Sequence, residues 1–411
     1  MHILWLKSDL LVPLDKGGKL RTWHLMRHLA RRHEITYLSF ADPGVRRQDL
    51  VEMGHVASRI VTVRREEAPK GSLTFYTGVA RHLIDRLPYA VAKYRSDAYR
   101  SALLKLLDES PVDLIVCDFL VPAVNLPDRL PCPAVLFTHN VEAEIWRRHT
   151  EQQTSAIRRW LYGLQHRRML DFERDTLARF DAVLAVSEQD RNTFEELYPG
   201  AARCPAFVVP TGVDVSYFSQ EEPRTNRPQL VFTGSMDWLP NEDAMTFFCR
   251  DVLPIIRARV PEVELTIAGR EPTRGVRHLA AQHGVVVTGR VDDIRPFVRD
   301  AAVYIVPLRI GGGTRLKIFE AMAMGKAVVS TAIGAEGLPV VHDRHLLIAD
   351  EPQAFADAVV RLLEDPSCRH RLGRAARDLV ATRFDWAVVA SELETALLHA
   401  AHSLEKQGTA A

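Results

Sequence analysis

The feature that most constrains this chain is a repeated alternation of short apolar runs with longer amphipathic stretches. Runs such as HILWL (2–6) and AVLFT (134–138) have the length and unbroken apolar character of strands that are buried on both faces. The stretches between such runs, including 20–33 and 155–180, have the periodicity of helices. Strand–helix–strand repetition of this kind predicts an open, doubly wound parallel sheet.

The same pattern starts again in the second half of the chain. A polar stretch at 219–229 has the composition of a linker, and apolar runs then resume from QLVFTG (229–234) to AVVST (327–331). With 411 residues, the chain suits two α/β domains of ordinary size. We therefore predict an α/β fold of two Rossmann-like domains that face each other across a cleft. The predicted parts are an N-terminal domain (1–205), a linker (206–228), a C-terminal domain (229–384) and a final helix (385–411).

Charge and cysteine content narrow the function classes. The net charge of +1 gives no general attraction for nucleic acid. Residues 1–100 hold 18 Lys/Arg against 10 Asp/Glu, which favours either an anionic acceptor or membrane surface, or a plain solvated face. The five cysteines form no C-x-x-C pair, so a zinc site, redox chemistry and a disulfide framework are not expected. Cysteines of this kind are expected to be reduced, as in a cytoplasmic protein. A signal peptide and a membrane span are not expected either.

The segment PLRIGGGTRLKIFEAMAMGKAVVST (307–331) is the most informative for chemistry. Gly311–Gly313 precede a helix that we expect to start near Thr314, and such a turn offers free backbone N–H groups to a phosphate. Arg315 and Lys317 place positive charge in the first turn of this helix, which is unfavourable unless an anion binds there. The segment is therefore predicted to hold a diphosphate; the alternative is that both side chains point into solvent.

Polar residues near other strand ends extend the candidate site. Glu320 lies among apolar neighbours at a spacing that suits hydrogen bonds to a ribose, although a surface carboxylate is the alternative. His139 follows AVLFT at the strand end where α/β proteins place ligands; the alternative is a structural hydrogen bonder. Gly17 and Gly18 follow the first strand and open a helix, and Ser235 follows another strand, where its hydroxyl can donate to a phosphate.

Several well-known sites are absent from the sequence. Neither glycine turn matches G-x-G-x-x-G or G-x-x-x-x-G-K-S/T, which disfavours a dinucleotide-dependent oxidoreductase and a P-loop ATPase. No carboxylate pair can be assigned as the acid and base of a glycoside hydrolase. No Asp-x-Asp or His/Asp cluster adjoins the predicted phosphate site, so no metal and no other cofactor is expected. The nearest acidic pair, VDDI (291–294), is expected at the N-terminus of a helix.

These segments together resemble the retaining GT-B glycosyltransferases of family 4. The helix motif E-A-M-A-x-G-x-P-V-V of that family is matched by EAMAMGKAVV, with alanine at the proline position. The resemblance covers essentially the whole chain, and its other blocks are 137–146, 181–192, 208–214, 231–248, 265–270 and 287–307. It implies transfer of a sugar from a nucleotide-sugar donor to an acceptor, with retention of configuration and without a metal ion.

The resemblance also implies roles for residues of this chain. His139 would approach the donor sugar, and Arg315 and Lys317 would stabilise charge on the departing diphosphate. The segment 289–294 would form the pocket for the base. The nucleotide-sugar site is then predicted to contain Gly17, Gly18, Ser235, Arg290, Val291, Gly312, Gly313, Thr314, Leu316 and Glu320.

The sequence departs from the family pattern at two places. Gly312 stands where many members carry a glutamate near the donor sugar, and GSMDWLPNED (234–243) lacks the Arg and Lys that many members use for the diphosphate. Arg315 and Lys317 are predicted to supply that charge instead. A nucleotide-sugar 2-epimerase and a catalytically silent binder of sugar nucleotides therefore remain alternatives.

The family resemblance further implies a biological setting and a motion. The expected acceptor is a lipid-linked or saccharide molecule in bacterial polysaccharide or cell-surface glycan synthesis. The basic N-terminal domain, on the acceptor side, would then contact the inner face of the membrane peripherally. Closure of the two domains should accompany turnover, and the final helix should cross back to the N-terminal domain.

Overall fold

The computed structural model describes residues 1–65, 85–200, 206–224, 227–310 and 316–403. Contacts within the chain divide it into two compact units. The first unit is Met1–Pro210 with Val389–Ala411, and the second is Thr211–Val388. Each unit contains its own parallel sheet with helices, so the predicted α/β fold with two Rossmann-like halves is confirmed.

The sheet of the first unit has seven strands, all paired in parallel. In chain order they are β1 (His2–Lys7), β2 (Glu34–Ala41), β3 (Arg59–Arg64), β4 (Leu114–Asp118), β5 (Ala134–Phe137), β6 (Ala182–Ala185) and β7 (Ala206–Val208). Their order across the sheet is β3-β2-β1-β4-β5-β6-β7. Because the direction of winding reverses between β1 and β4, the carboxyl ends of these two strands flank a ligand crevice.

Helices connect these strands, and two of them begin at serine caps. Ser96 accepts a hydrogen bond from the Tyr99 amide, and Ser187 accepts one from the Asp190 amide, which satisfies N–H groups that a helix start leaves free. The helices are α1 (Gly17–Leu29), α2 (Arg47–Met53), α3 (Tyr89–Ala92), α4 (Asp97–Glu109), α5 (Glu142–Glu151), α6 (Ala156–Leu177) and α7 (Glu188–Leu197), with a short 3₁₀ turn at Val121–Asn125.

The second unit has a six-stranded sheet, also with parallel pairing throughout. Its strands are β8 (Gln229–Thr233), β9 (Glu264–Ala268), β10 (Val285–Gly289), β11 (Val303–Val306), β12 (Ala327–Ser330) and β13 (Leu347–Ile348). The order across the sheet is β10-β9-β8-β11-β12-β13, so the winding reverses between β8 and β11. The carboxyl ends of these strands are where a ligand is expected.

The helices of the second unit include the one predicted after the glycine loop. Its described part starts at Leu316, and the predicted start at Thr314 lies outside the described residues. Asp293 accepts a hydrogen bond from the Arg295 amide at the start of another helix, which confirms the expected place of the acidic pair. The helices are α8 (Leu239–Phe247), α9 (Leu253–Arg259), α10 (Arg274–Leu279), α11 (Arg295–Asp300), α12 (Leu316–Ala323), α13 (Pro352–Glu364) and α14 (Pro366–Arg383), with a π turn at Phe248–Val252. The last helix, α15 (Trp386–Ser403), belongs to the first unit from Val389 onward.

Two segments differ from the sequence-based expectation. Ala206–Val208, which the predicted linker includes, pairs with β6 as the last strand of the first sheet. The strand β3 was not predicted, because RIVTVR contains a threonine and two terminal arginines and so does not form an unbroken apolar run. It occupies the edge of the sheet, where one side of a strand stays open to solvent.

The turn that follows α1 forms hydrogen bonds with the last part of the chain, within the first unit. Arg32 and His33 each form a hydrogen bond with the carboxylate of Glu394 on α15, at 2.9 Å in both cases.

Each unit also buries an apolar core of its own. Among the described helices, none is both long enough and apolar enough to cross a membrane.

Candidate functional site

A fully buried carboxylate organises the carboxyl ends of β1, β4 and β5 in the first unit. Asp118, the last residue of β4, accepts hydrogen bonds through Oδ2 from Trp5 Nε1 at 2.9 Å and Lys7 Nζ at 2.8 Å. The Thr22 hydroxyl lies 2.6 Å from the same oxygen, and His139 Nε2 lies 2.6 Å from Oδ1. Burial alone would raise the pKa of Asp118, but Lys7 and His139 outweigh it and lower that pKa.

His139 is a neutral imidazole in this environment. Because the Asp118 carboxylate is ionised and can only accept, the proton of His139 lies on Nε2, and Nδ1 accepts from Arg21 Nη1 at 3.4 Å. Burial lowers the pKa of His139 to about 3, although Asp118 acts in the opposite direction. Both ring nitrogens are therefore bonded within the protein, which fixes the orientation of the ring and keeps it neutral near pH 7.

The ring of Phe119 fixes His139 from one face. The two rings stack with centroids 3.8 Å apart and planes 8° apart, and Lys7 Nζ lies 4.4 Å from the centroid of Phe119. Phe119 has φ +74°, a left-handed conformation that costs a non-glycine residue on the order of 1–2 kcal/mol. A Cβ atom on Gly18 would lie 2.9 Å from Phe119 Cζ. Gly18 thus leaves room for the ring, while Gly17 is exposed at the first residue of α1.

Arg21 brings a second buried cation to this cluster. Arg21 is only 6% exposed, and its Nε has no hydrogen-bond partner among the described residues. Burial lowers the pKa of Arg21 to about 10, against the opposing effect of Asp118 and Asp190. Arg21 therefore retains hydrogen-bonding capacity beside His139, which suits a polar or anionic group of a ligand.

Two further carboxyl groups, those of Glu142 and Glu173, lie at the N-terminus of α5. The fully buried Glu173 accepts hydrogen bonds from the amides of Glu142 and Ala143 and from the Tyr198 hydroxyl, so it closes the N-terminus of α5. Burial raises the pKa of both Glu173 and Glu142 to about 7. Neither residue was predicted from the sequence, since a cap supplied from a distant helix has no local signature.

The second unit contains a glycine turn after β8 into which other side chains reach. A Cβ atom on Gly234 would lie 2.7 Å from Asn241 Nδ2 and 2.9 Å from Lys317 Nζ. A Cβ atom on Gly269, after β9, would overlap the carbonyl oxygen of Gly234. Both positions therefore exclude any side chain, and the two strand ends are packed backbone against backbone.

Lys317 extends from α12 to this turn. Its Nζ donates a hydrogen bond to Asn241 Oδ1 at 2.9 Å, and Asn241 Nδ2 donates to the Ser235 carbonyl at 2.8 Å. The ammonium group also lies 4.1 Å from the centroid of the Phe232 ring. The structure therefore brings Lys317 and Ser235 together, at the strand end where the family pattern has its own cations.

A second cation at the same edge was missed by the sequence analysis. Arg270 follows β9, and its Nε donates a hydrogen bond to Ser235 Oγ at 2.9 Å. The Ser235 hydroxyl in turn lies 2.5 Å from Asp237 Oδ1. The available signal was a cation directly after the apolar run LTIAG (265–269), which is the same strand-end argument that selected His139.

Glu320 lies on α12, one turn after Lys317, and is half-buried. Burial raises its pKa to about 7, while Lys317 acts to lower it. Within the described part of the chain, the Glu320 carboxyl group has neither a hydrogen bond nor an ion pair. Such a group is suited to accept hydrogen bonds from hydroxyl groups of a ligand.

The remaining predicted site residues divide into two sets. Arg290, which is exposed, and Val291, which is half-buried, follow β10 at the same sheet edge, and Leu316 is half-buried at the start of α12. Gly312, Gly313, Thr314 and Arg315 lie outside the described residues. In the described ranges, no group of three or more His, Cys, Asp or Glu side chains could hold a metal ion.

Comparisons with known proteins match both halves of the chain. The family model described as Glycosyltransferase Family 4 matches residues 16–217, and the model described as Glycosyl transferases group 1 matches residues 227–365. The two matches do not overlap and together account for most of the chain. They also agree with the family resemblance of the sequence motifs.

Two kinds of curated relative are similar in sequence. Phosphatidyl-myo-inositol mannosyltransferase of Mycobacterium tuberculosis is 32% identical over 204 residues, which is 46% of this chain and 52% of that protein. The match thus spans about half the length of these relatives. Glycogen synthase of the same species is 27% identical over 289 residues, covering 67% of this chain and 65% of the relative.

Solved structures resemble the whole chain in fold. Sucrose-phosphate synthase from Thermosynechococcus elongatus has a TM-score of 0.66 at 17% identity and covers 100% of this chain, with 99% of its own chain aligned. Anabaena HepE, solved in complex with UDP and glucose, has a TM-score of 0.65 at 16% identity, covering 97% of this chain and 99% of its own. At these identities the likeness establishes the two-domain architecture.

Proposed function

This chain belongs to the family 4 glycosyltransferases of GT-B fold, and on that premise we propose that it transfers a sugar from a nucleoside diphosphate sugar to an acceptor hydroxyl. The transfer proceeds with retention of the anomeric configuration and without a metal ion. The observation that carries the proposal is the position of Lys317, whose ammonium group reaches the side-chain-free turn at Gly234. A fixed cation beside exposed backbone is suited to a diphosphate.

The second unit is proposed to bind the nucleotide. Lys317, Arg270 and Ser235 would contact the diphosphate, and Glu320 would accept hydrogen bonds from the ribose hydroxyls. Because Glu320 lacks a protein partner in the described residues and burial raises its pKa to about 7, a hydroxyl pair would stabilise its ionised form. Arg315 and the glycines of the loop complete the predicted phosphate site, and Arg290 and Val291 adjoin the base.

In the reaction, the bond between the anomeric carbon and the diphosphate oxygen breaks, and the acceptor oxygen bonds to the same carbon from the same face. The proton of the acceptor hydroxyl passes to the departing diphosphate. Negative charge grows on that diphosphate as the bond breaks, so positioned cations lower the barrier more than they stabilise the bound donor. The enzyme then acts by positioning and charge stabilisation, with no protein nucleophile.

His139 is proposed to contact the donor sugar as a neutral group. Its ring is fixed by Asp118, Arg21 and the stacked Phe119, and such pre-orientation is what sugar positioning requires. Gly312 stands at the position where many family members have a glutamate near the sugar. In this chain a larger share of sugar orientation would therefore fall on His139.

The acceptor is proposed to be a lipid-linked or saccharide molecule of bacterial cell-surface polysaccharide synthesis. The support is the name of the mannosyltransferase relatives, which specifies a phosphatidyl-inositol acceptor, together with the basic first hundred residues. A peripheral contact with an anionic membrane would bring the N-terminal unit to such an acceptor.

The decisive test is the release of free nucleoside diphosphate from UDP-, GDP- and ADP-sugars, with and without a crude lipid-linked acceptor. UDP-glucose comes first, since HepE binds it. We expect release from one donor that rises with acceptor, persists in EDTA and falls in Lys317→Ala and His139→Gln. Tight binding without any release would instead indicate a silent binder, and an intact nucleotide carrying a new sugar would indicate an epimerase.

A further inference from the structure

The first half of α6 exposes an apolar stripe. Ile157 is 74% exposed and Trp160 is 61% exposed, and the half-buried Leu161 and Leu164 continue the same face. These four residues follow the i, i+3, i+4, i+7 spacing of one helix face. In a globular protein a face with this spacing ordinarily packs against the core.

The core-facing side of α6 is a different one. Gln165 and Met169 are its buried residues in this region, and the Gln165 side chain accepts a hydrogen bond from the Tyr89 amide. Tyr162 and Gly163 face α5, where Tyr162 packs near the ring of Trp146 at 5.8 Å. The helix is therefore already packed on two sides, and the Ile157–Leu164 stripe is a third, outward face.

Exposed arginines flank this outward face, with Arg158 on one side and Arg167 on the other. Residues 156–170 contain four arginines and no acidic residue. Arg158 and Arg167 form no ion pair among the described residues. On the neighbouring α5, in contrast, Arg147 is paired with Glu144 and Glu151 at 2.5 Å. Among the described residues, the positive charges of Arg158 and Arg167 on α6 are thus not balanced by a neighbouring carboxylate.

We propose that this face, the α6 surface (Ile157, Arg158, Trp160, Leu161, Leu164 and Arg167), docks on the surface of an anionic lipid bilayer. Indole and aliphatic side chains insert at the level of the headgroups, while guanidinium groups bind lipid phosphates. Docking would bring the first unit to the membrane that holds a lipid-linked acceptor, and this role rests on the proposed function. The docking itself requires no substrate.

Charge complementarity favours a bilayer over a second copy of the chain. In a twofold-symmetric dimer through this face, the same arginines would meet each other across the contact. Juxtaposed like charges cost several kcal/mol in a protein interface. An anionic lipid surface has the opposite charge, and each arginine near it contributes a factor of about five in partitioning.

The test compares flotation of the full-length protein with vesicles of phosphatidylcholine alone and vesicles with about 30 mol% phosphatidylglycerol. Wild type should float with the anionic vesicles only, and salt should weaken the binding. Ile157→Ser/Trp160→Ser and Arg158→Gln/Arg167→Gln should each lower anionic-vesicle partitioning at least tenfold. Brominated lipids should quench tryptophan fluorescence in wild type more than in Trp160→Phe.

A matched control carries the same kinds of substitution elsewhere on the first unit. Val51→Ser with Arg31→Gln removes an apolar side chain that is 66% exposed and an exposed arginine, and it should bind vesicles like wild type. Equal loss in this control, unchanged binding of the α6 variants, or failure of wild type to bind anionic vesicles would each overturn the proposal. A Trp160-sensitive dimer in sedimentation velocity would assign the face to self-association instead.

The proposed function can fail independently of this surface. Release of nucleoside diphosphate to water or to a soluble acceptor should be the same in wild type and in the α6 variants. If that release is lost in all proteins while vesicle binding follows the pattern above, the transferase proposal is wrong and the docking proposal stands.

Discussion

The two candidate sites differ in how their charges are balanced. In the first unit, the carboxylate of Asp118 has partners from Trp5, Lys7, Thr22 and His139, all supplied by the protein. In the second unit, the half-buried Glu320 has no such partner among the described residues, and burial raises its pKa to about 7. The first site is completed by folding, and we propose that the nucleotide completes the second.

The contrast distinguishes residues that stabilise the folded site from residues that bind the substrate. Removing one member of a buried, compensated charge pair leaves the other without a partner, which destabilises the fold. Removing a charge whose natural partner is a ligand costs little stability and mostly binding or rate. The four predictions below test this separation, from the largest expected effect to the smallest.

Asp118→Ala should give the largest loss of stability. Lys7 would remain buried without its counter-ion, and the hydrogen bonds to Trp5, Thr22 and His139 would be lost, so the free energy of unfolding should fall by about 3–5 kcal/mol. Urea titration followed by circular dichroism measures this. An unfolding midpoint equal to that of wild type would show that the first site is not held together by Asp118.

Lys317→Ala should lower the reaction rate and leave the stability of the fold nearly unchanged. We expect nucleoside diphosphate release to fall by about 10²–10³-fold, because a positioned donor to the developing charge is lost, with little change in the unfolding midpoint. Lys105→Ala, which removes an ammonium group whose side chain is 76% exposed, serves as the matched control. A large loss of stability in Lys317→Ala without loss of rate would reverse the assignment of the two sites.

A double-mutant cycle on Gly18 and Phe119 sharpens the comparison within the first unit. Gly18→Ala should cost about 1–3 kcal/mol of stability, because the added methyl group meets the Phe119 ring. Phe119→Leu should restore at least half of that cost, and Gly17→Ala at the exposed neighbour should cost less. If Gly18→Ala raises only the KM for the donor and Phe119→Leu rescues nothing, this glycine serves close approach of a phosphate instead.

The smallest effect concerns pH and Glu320. Its pKa rises from 4.5 to about 7 on folding, so its contribution to stability is present below pH 4.5 and is lost as pH rises through about 7. Wild type should therefore lose stability relative to Glu320→Gln between pH 5 and 8. Over the same range its affinity for a nucleoside diphosphate should rise a few-fold, because the ribose hydroxyls favour the ionised form of Glu320. Calorimetric titration measures the affinity; parallel pH profiles in both proteins would contradict a ribose role for Glu320.

The sequence predicted the sheets well because buried parallel strands are local apolar runs. It also indicated His139, Ser235 and Lys317, since polar residues near a strand end or a helix start can be located without knowing their neighbours. It did not reveal Asp118, because the importance of that carboxylate arises from Lys7, which is 111 residues away in sequence.

Arg270 shows the same limit in the second unit. Its contact with Ser235 joins residues 35 positions apart, and pairing across two strand ends cannot be inferred from either segment alone. The family pattern directed attention to cations in 234–243, where there are none. The structure instead places Lys317 at that turn from a helix more than 70 residues later, and Arg270 from the neighbouring strand.

The division of the first unit into two stretches of chain has a consequence for synthesis. Glu394 on α15 bonds Arg32 and His33, so the earliest strands and helices leave the ribosome long before the helix that joins them. At about 5–20 residues per second, translation of the whole second unit separates the two events. The nascent first unit therefore remains incomplete for many seconds. During that time chaperones and proteases have access to its exposed surface. Stalling or early termination directly after Val388 would yield a product in which the second unit is complete and the first is not.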